Sequence, residues 1–272
     1  MKKIGIMSMQ RIYNYGSFLQ AYGLKKLIEE IEVDSKIVFV DYTPGKPLIE
    51  SENKSNKIIR NFQKLKEYNN VNTNIINKIK FFNHKRLFEK KFYPLLGINS
   101  ERVSSKGLDT LIIGSDEVFN CVQSNANVGY STDLFGRNSE AKKVISYAGS
   151  FGNTTYTKLV SQNLVKELKD DFSRFESVSV RDRNSLNIVE QLGVKNPHLN
   201  IDPVLAYDYM NKEKQIPQNR LFKSKYIIVY GYSGRIQPKE NAAIKKFAKN
   251  NGFKILCFGG VQDCCDYFRS EE

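Results

Sequence analysis

Histidine and cysteine, the residues that most often bind transition metals, are scarce in this sequence. Among 272 residues there are two His and four Cys, and tryptophan is absent. The cysteines have no metal-ligand spacing, and His84 and His198 are far from them in the sequence, so we expect no metal site. We expect free thiols in a reducing compartment for all four cysteines, which are Cys121, Cys257, Cys264 and Cys265.

Long hydrophobic runs are absent as well. No apolar stretch approaches the roughly 18 residues that a membrane helix needs. The N-terminal apolar run is interrupted by Ser8 and Gln10 and is followed by Arg11, so it lacks the hydrophobic region of a signal peptide. The sequence therefore predicts a cytoplasmic protein.

Three common enzyme motifs are missing. No G-x-G-x-x-G follows the first predicted strand, which disfavours a nicotinamide or flavin enzyme. The absence of G-x-x-x-x-G-K-[ST] disfavours a P-loop ATPase. The absence of G-x-S-x-G disfavours an α/β-hydrolase.

What the sequence has in quantity is apolar and aromatic side chains. Hydrophobic residues make up 40% of the chain, with 17 Phe and 15 Tyr, which excludes wholesale disorder. A chain of this length buries a sizeable core without disulfides or metals. At about 150 residues per domain, the length corresponds to roughly two domains.

A strand–helix–strand unit opens the chain. Residues 3–9 form an apolar strand, and apolar positions at helical spacing indicate a helix from Phe18 to Ile31. A second strand at 36–42 ends at a Thr-Pro-Gly turn. Such a unit implies a parallel sheet with a right-handed crossover, and therefore an α/β fold.

This alternation is interrupted at about 44–106 by a segment with the pattern of two amphipathic helices, and then resumes. The two helices are predicted at 52–68 and 73–92. Further strands are predicted at 108–113, 143–150, 177–181, 226–230 and 253–258, helices at 157–175, 184–192 and 239–250, and a short strand or turn at 200–204. A polar linker at 209–224 separates a first domain, 1–208, from a second one that starts at 225.

The formal charge of +13 is concentrated in the interrupting segment. Residues 51–106 contain 13 Lys and Arg against four acidic residues, which indicates a basic insertion rather than a basic core. Its apolar stripes favour packing against the first sheet with the lysines facing outward. We expect no binding to nucleic acid, while peripheral contact with the anionic inner face of a membrane is compatible with the charge.

Polar loops follow four of the predicted strands. In open parallel sheets, ligands bind beyond the carboxyl ends of the strands, where glycines allow close approach and helix N-termini attract anions. Arg11, Asn14 and Gly16 precede the first helix, while Arg181 and Arg183 share a face if their strand continues. Arginine suits carboxylate and phosphate, so the loops predict an acidic small substrate. The loops span 10–17, 114–120, 150–154 and 181–184.

Each of these features also has a purely structural explanation. Asn14 is a suitable cap for a turn and a helix. Residues 114–116 have the composition of an ordinary turn at the end of a strand. Arg181 has Asp182 and Asp202 as candidate ion-pair partners. The residues alone leave both explanations open.

Five blocks of the sequence, in order, resemble the polysaccharide pyruvyl transferase family. The first, NYGSFLQAYGL at 14–24, resembles the family's NYG..LQAYAL opening. The second, IIGSDEVFN at 112–120, resembles a block containing GSDQVWN, with Glu for Gln and Phe for Trp. ISYAGSFG at 145–152, SVRD at 179–182 and DPVL at 202–205 resemble ISYAASFG, SVRE and the start of DPTLLL.

The resemblance implies a two-domain, glycosyltransferase-B-like fold with the active site in the cleft. The family's reaction moves an enolpyruvyl unit from phosphoenolpyruvate to a sugar, usually as a cyclic ketal across two hydroxyls. Arg181 and a helix N-terminus are then expected to hold phosphoenolpyruvate, and Asp116 is the candidate base, so these two residues are the candidate catalytic residues. The remaining residues expected to bind substrate are Arg11, Asn14, Tyr15, Gly16, Gly114, Ser115, Tyr147, Ser150, Phe151, Gly152 and Arg183.

The resemblance also implies the partners. The donor is phosphoenolpyruvate, with no cofactor besides it, and the acceptor is a saccharide or lipid-linked glycan of the cell surface. The alternatives are a glycosyltransferase of the same architecture that uses a nucleotide sugar, and a non-enzymatic basic module that binds RNA or a membrane surface.

The last part of the sequence departs from the family. The family's second domain usually contains a DSFHG-like block whose His is expected to face the cleft, and nothing after Tyr226 resembles it. We therefore expect residues 226–272 to form only one strand, helix and strand of an incomplete Rossmann-like domain. For the same reason we expect little or no transferase activity from this chain.

Overall fold

The computed structural model describes residues 1–49, 74–124, 127–214, 216, 219, 222–231, 233 and 236–269. The helix predicted at 52–68 lies outside these residues. The chain separates into two compact units, Met1–Glu52 with Tyr93–Lys212 and Asn53–Phe92 with Glu213–Glu272. No helix among the described residues has the length and apolar character needed to cross a bilayer.

A parallel six-stranded sheet forms the centre of the first unit. Its strand order is β2-β1-β3-β4-β5-β6, and Ile6 of β1 lies opposite both Phe39 and Ile112. The strands are β1 (Lys2–Met7), β2 (Ser35–Phe39), β3 (Thr110–Asp116), β4 (Lys143–Gly149), β5 (Ser179–Val180) and β6 (His198–Leu199). The predicted α/β fold with a parallel sheet is confirmed.

Helices connect these strands. Asn163, with a φ of 57°, stands in the left-handed region and separates two helices where the sequence predicts a single helix at 157–175. Near 200–204, a helix that starts at Pro203 replaces the predicted strand or turn, because Asp202 caps it. Within the described residues, the α-helices up to the linker are α1 (Tyr15–Ile31), α2 (Ile75–Leu96), α3 (Tyr156–Ser161), α4 (Val165–Phe172), α5 (Arg183–Gln191), α6 (Pro203–Ala206) and α7 (Tyr209–Lys212).

The core of the first unit joins the sheet to α3, α4 and α5. Leu111 and Ile113 of β3 are fully buried, as are Leu168 of α4 and Ile188 of α5. Phe119, also fully buried, lies at the centre of an aromatic cluster, and its ring contacts Phe135, Phe151, Phe172 and Phe175. This core fixes the sheet whose carboxyl edge carries the polar loops.

The second unit contains a smaller parallel sheet. Its strands, β7 (Tyr226–Tyr230), β8 (Lys254–Phe258) and β9 (Tyr267–Arg269), are in sequence order, and α8 (Pro238–Asn250) connects the first two. The expectation of two strands only is wrong, because a third strand, β9, pairs with β8. Ile255, Cys257 and Phe268 are buried against Ala248 of α8.

Two of the cysteines are bonded to each other. Cys257 of β8 and Cys265, just before β9, form a disulfide across a Cα separation of 5.6 Å, which is typical of such bonds. Cys121 and Cys264 are free and buried. The expectation of four free thiols is therefore wrong for one pair, because the return of the chain into β9 brings together two residues without a recognisable spacing.

The N-terminal part of α2 packs within the second unit. The side-chain oxygen of Asn77 accepts a hydrogen bond from the Phe268 backbone N–H at 3.1 Å, and the Phe81 ring lies 5.5 Å from that of Phe268. An edge strand has N–H groups without ladder partners, and Asn77 satisfies one of them. This differs from the expectation that the basic insertion packs on the first sheet. The domain boundaries drawn from the sequence remain a prediction.

A matched pair of leucines tests the assignment of the first core. Leu168 is fully buried, whereas Leu205 of α6 is 78% exposed. We expect Leu168→Ala to lower the free energy of unfolding by about 2 to 5 kcal/mol, because it leaves a cavity. Leu205→Ala should change it by no more than about 0.5 kcal/mol. Chemical denaturation measures both, and equal effects would contradict this core.

Candidate functional site

The first sheet changes the direction of its connections between β1 and β3. Strand β2 lies on one side of β1 and β3 on the other. In an open parallel sheet, the loops after two such strands diverge and leave a crevice between them. Ligands of open parallel sheets bind at such points. The N-terminus of α1 and Asp116 meet here, because the Ser17 hydroxyl donates a 2.6 Å hydrogen bond to the Asp116 carboxylate.

Asp116 stands in an uncommon backbone conformation at the end of β3. Its φ is 81°, a region that residues other than glycine rarely adopt. Gly114, two residues earlier, has a φ of 128°, and a Cβ there would fall on the carbonyl oxygen of Tyr147. Strained backbone of this kind is concentrated at functional sites, which supports Asp116 as a site residue.

Arg181 lies between two carboxylates. One terminal nitrogen donates to Asp202 and to the side-chain oxygen of Gln20, each at 2.7 Å. The other lies 3.6 Å from the Asp116 carboxylate. The Arg181 side chain is 21% exposed, so water screens these charges only in part. Of its two candidate partners, the structure brings Asp202 into contact with Arg181, while Asp182 caps α5.

Gln20 connects Arg181 to the buried end of β3. Its side-chain oxygen also accepts a hydrogen bond from the Ser115 hydroxyl at 2.8 Å. The Ser115 carbonyl in turn accepts one from the Ser8 hydroxyl at 2.9 Å. Gly23 allows α6 to approach α1, since a Cβ there would lie 3.0 Å from the Pro203 carbonyl oxygen. This close approach carries Asp202, the cap of α6, to the crevice.

The sequence reasoning missed Ser17, Gln20 and Asp202 as site residues. A signal for the first two was present, because Asn14, Ser17 and Gln20 recur every three residues and so lie on one face of α1. Ser17 and Gln20 are buried, which is unusual for polar side chains without a specific role.

Two tyrosines border the carboxylates. Burial, with smaller contributions from Asp116 and Asp41, raises the pKa of Tyr42 to about 12. Burial and then the charge of Asp202 raise the pKa of Tyr147, whose hydroxyl donates to the Ile201 carbonyl at 3.4 Å. Both phenols therefore stay protonated at neutral pH, and the Tyr42 hydroxyl donates to the Met9 sulfur at 3.5 Å.

The predicted site residues before α1 are engaged in structural contacts. Asn14 accepts from the backbone N–H groups of Gly16 at 2.7 Å and Ser17 at 3.2 Å, so it caps the helix. Tyr15 is buried. Arg11 pairs with Asp41 and also donates to the Asn99 and Glu101 carbonyls, at 2.9 Å and 3.2 Å. The structural alternative for Asn14, a helix cap, thus describes its observed contacts.

The loop after β4 joins the crevice to α5. The Ser150 hydroxyl donates to Asp182 at 2.7 Å and accepts from the Gly152 N–H at 3.0 Å. Phe151 is fully buried and belongs to the aromatic core. Arg183 is exposed and begins α5. Because β5 ends at Val180, the strand does not continue and the face that Arg181 and Arg183 would share does not form.

The contacts around the crevice give it an excess of carboxylates. Asp116 and Asp202 both face Arg181, and Asp182 lies at the next loop, against Ser150. Carboxylates accept hydrogen bonds from hydroxyl groups, so such a crevice suits a polyhydroxylated ligand. Arg181 is the group that suits an anion, since its planar fork binds carboxylates in two-point contact.

The hydrogen bond between Ser17 and Asp116 is tested by deleting the hydroxyl. We expect Ser17→Ala to lower the free energy of unfolding by about 1.5 kcal/mol, because a partly buried carboxylate loses a donor. Ser173, whose hydroxyl bonds the Asp170 carbonyl at the exposed end of α4, is the control. Ser173→Ala should shift the value by less than about 0.5 kcal/mol. Equal effects of the two substitutions in denaturant titrations would show that the Ser17 hydroxyl does not stabilise the site.

The raised pKa of Tyr42 predicts a loss of stability at alkaline pH. A phenol ionises at about 10 in the unfolded chain and at about 12 in the folded one. The contribution of Tyr42 to stability is therefore complete below pH 10 and is lost as the pH rises toward 12. Tyr42→Phe should lose less unfolding free energy than the parent protein across this interval. Denaturation at a series of pH values measures this difference. An equal fall in the free energy of unfolding of the two proteins between pH 10 and 12 would contradict the environment assigned to Tyr42.

A comparison with protein families identifies the family of this chain. The family model described as polysaccharide pyruvyl transferase matches residues 14–267. The match starts at the cap of α1, includes Asp116, Arg181 and Asp202, and extends into β9. No curated protein matches the sequence. Since the family model covers nearly the whole of the chain, the chain belongs to the polysaccharide pyruvyl transferase family.

Proposed function

We propose that this protein transfers a pyruvyl group from phosphoenolpyruvate to two hydroxyls of a sugar, forming a cyclic ketal on a cell-surface glycan precursor. Family membership supports the class of transfer reaction. The observation that carries the assignment to this crevice is the arrangement of Asp116 and Asp202 on either side of Arg181, with Ser17 anchoring Asp116.

Asp116 is proposed as the base for the first sugar hydroxyl. Its carboxylate is fixed by the Ser17 hydroxyl and by the Glu117 backbone N–H, at 2.6 Å and 2.8 Å. A base held in one orientation accepts the proton of a hydroxyl as that hydroxyl attacks. The second carboxylate, on Asp202, is proposed to hold a neighbouring hydroxyl of the same sugar.

Arg181 is proposed to bind the carboxylate of phosphoenolpyruvate. A guanidinium has five N–H donors, and the Asp116 carboxylate at 3.6 Å is beyond hydrogen-bond distance from its nearest nitrogen. The anionic donor then adds a carboxylate to a group already paired with Asp202. Arg181 would then contact both the donor carboxylate and Asp202, and Asp202 is proposed to hold the acceptor. We therefore expect the donor and the acceptor to affect each other's binding.

The reaction balances without a further co-reactant. A proton from water adds to the methylene carbon of phosphoenolpyruvate, and the first hydroxyl attacks the central carbon while its own proton passes to Asp116, which later returns it to water. The second hydroxyl then attacks the same carbon as phosphate leaves with the remaining proton. The acceptor gains the mass of pyruvic acid minus one water.

The test is mass spectrometry of candidate glycan acceptors incubated with phosphoenolpyruvate and the purified chain. We expect the corresponding mass increase and released phosphate. The assay uses enzyme in excess of acceptor and long incubation, so that slow turnover is detected. Asp116→Asn should slow product formation by about 10²- to 10⁴-fold, because it removes the base. Asp170→Asn, an exposed change on α4, is the matched control and should leave the rate unchanged.

Thermal unfolding with ligands gives an independent readout. A ligand that binds the folded state raises the unfolding temperature by mass action. We expect phosphoenolpyruvate to stabilise the chain. No product together with stabilisation by a nucleotide sugar alone would overturn the proposal in favour of a glycosyltransferase.

A further inference from the structure

A pocket of about 480 Å³ opens in the second unit, at the amino ends of β8 and β9. Three lysines line it: Lys245 and Lys249, one turn apart on α8, and Lys254 at the start of β8. Among the described residues, none of the three forms an ion pair with a carboxylate. We call this cavity the lysine pocket.

Two aspartates also line the lysine pocket, so its cations exceed its carboxylates by one. One of them, Asp266, is already engaged, because its carboxylate accepts the Ile255 backbone N–H at 2.8 Å. The other is Asp263. The balance of charge favours a ligand that carries carboxylates.

One residue of the disulfide, Cys265, belongs to the wall of this pocket. Cys265 is half-buried and lines the cavity, whereas Cys257 is fully buried and does not. The free thiol of Cys264 also lines the pocket, and burial raises its pKa, so it stays protonated at neutral pH. A protonated thiol is a poor nucleophile, so Cys264 does not compete with an external thiolate for the disulfide. Of the two bonded cysteines, Cys265 is the one that lines the pocket.

We propose that the lysine pocket is a thiol-exchange site for a small thiol bearing carboxylates, and that Cys265 is the residue it modifies. The lysines hold the carboxylates of the incoming molecule. Its thiolate then approaches the Cys257–Cys265 bond from the pocket. This chemistry is separate from the proposed pyruvyl transfer, and it uses no residue of the crevice in the first unit.

The exchange is balanced in atoms and electrons. The incoming thiolate forms a bond to the Cys265 sulfur while the bond to Cys257 breaks, and the electron pair passes to the Cys257 sulfur. That sulfur takes up a proton from water, because its apolar surroundings favour the neutral thiol. One disulfide is replaced by another, so no oxidant is consumed. The modified chain no longer has a disulfide between β8 and the segment before β9.

The experiment compares glutathione, which is anionic, with uncharged 2-mercaptoethanol on the intact chain. Reactions are quenched by alkylation, and peptides are analysed by mass spectrometry. We expect glutathione to react about tenfold faster per thiolate at low salt, with the adduct on Cys265 and a newly alkylated Cys257. The preference should shrink in high salt, because screening weakens the attraction.

Charge variants distinguish an effect of the pocket lysines from an effect of the protein's net charge. The triple variant Lys245→Gln/Lys249→Gln/Lys254→Gln should lose the preference for glutathione, and the corresponding Lys→Arg triple should keep it. Lys223→Gln/Lys239→Gln/Lys246→Gln removes the same charge from lysines outside the pocket and should also keep it. The proposal fails if both thiols react equally per thiolate, if the adduct is on Cys257, or if unreduced protein shows four free thiols.

Discussion

The guanidinium of Arg181 lies between the carboxylates of Asp116 and Asp202, and the crevice of the first unit depends on this contact. Without the cation, two like charges would face each other in a partly buried place, where water screens them weakly. The three residues come from three separate parts of the chain: the end of β3, the residue after β5 and the cap of α6. One interaction therefore holds the loops of the crevice in register.

The same contact relates the structure to the proposed chemistry. A ketal-forming transferase has to hold an anionic donor beside a hydroxyl-rich acceptor, two ligands with opposite requirements. The carboxylates suit the hydroxyls and the guanidinium suits the donor, and all lie within one crevice. The Ser17 and Gln20 side chains of α1 restrict Asp116 and Arg181, so the charged groups are oriented before any ligand arrives.

Much of the fold and part of the site could be predicted from the sequence, because both follow from local pattern. Strands and helices repeat with their own periods, and the loops after parallel strands lie at one edge of the sheet, which brought Arg181 to attention. The family resemblance then added Asp116 as the candidate base. Local pattern does not show which residues far apart in the sequence contact each other. Asp202 reaches Arg181 only because α6 approaches α1 closely, and the Cys257–Cys265 bond exists only because β9 returns to β8. The block containing Phe151 matched the family, yet its ring belongs to the core.

A double-mutant cycle on Arg181 and Asp202 tests the central interaction most directly. Arg181→Met leaves two partly buried carboxylates facing each other, and Asp202→Asn in the same chain removes one of those charges. The free energies of unfolding of the parent, both single variants and the double variant give the coupling between the two residues. The account predicts that the double variant loses less unfolding free energy than the two single variants lose together, and that the difference is at least about 1 kcal/mol. Additive losses would show that Arg181 and Asp202 act independently, and would contradict the account.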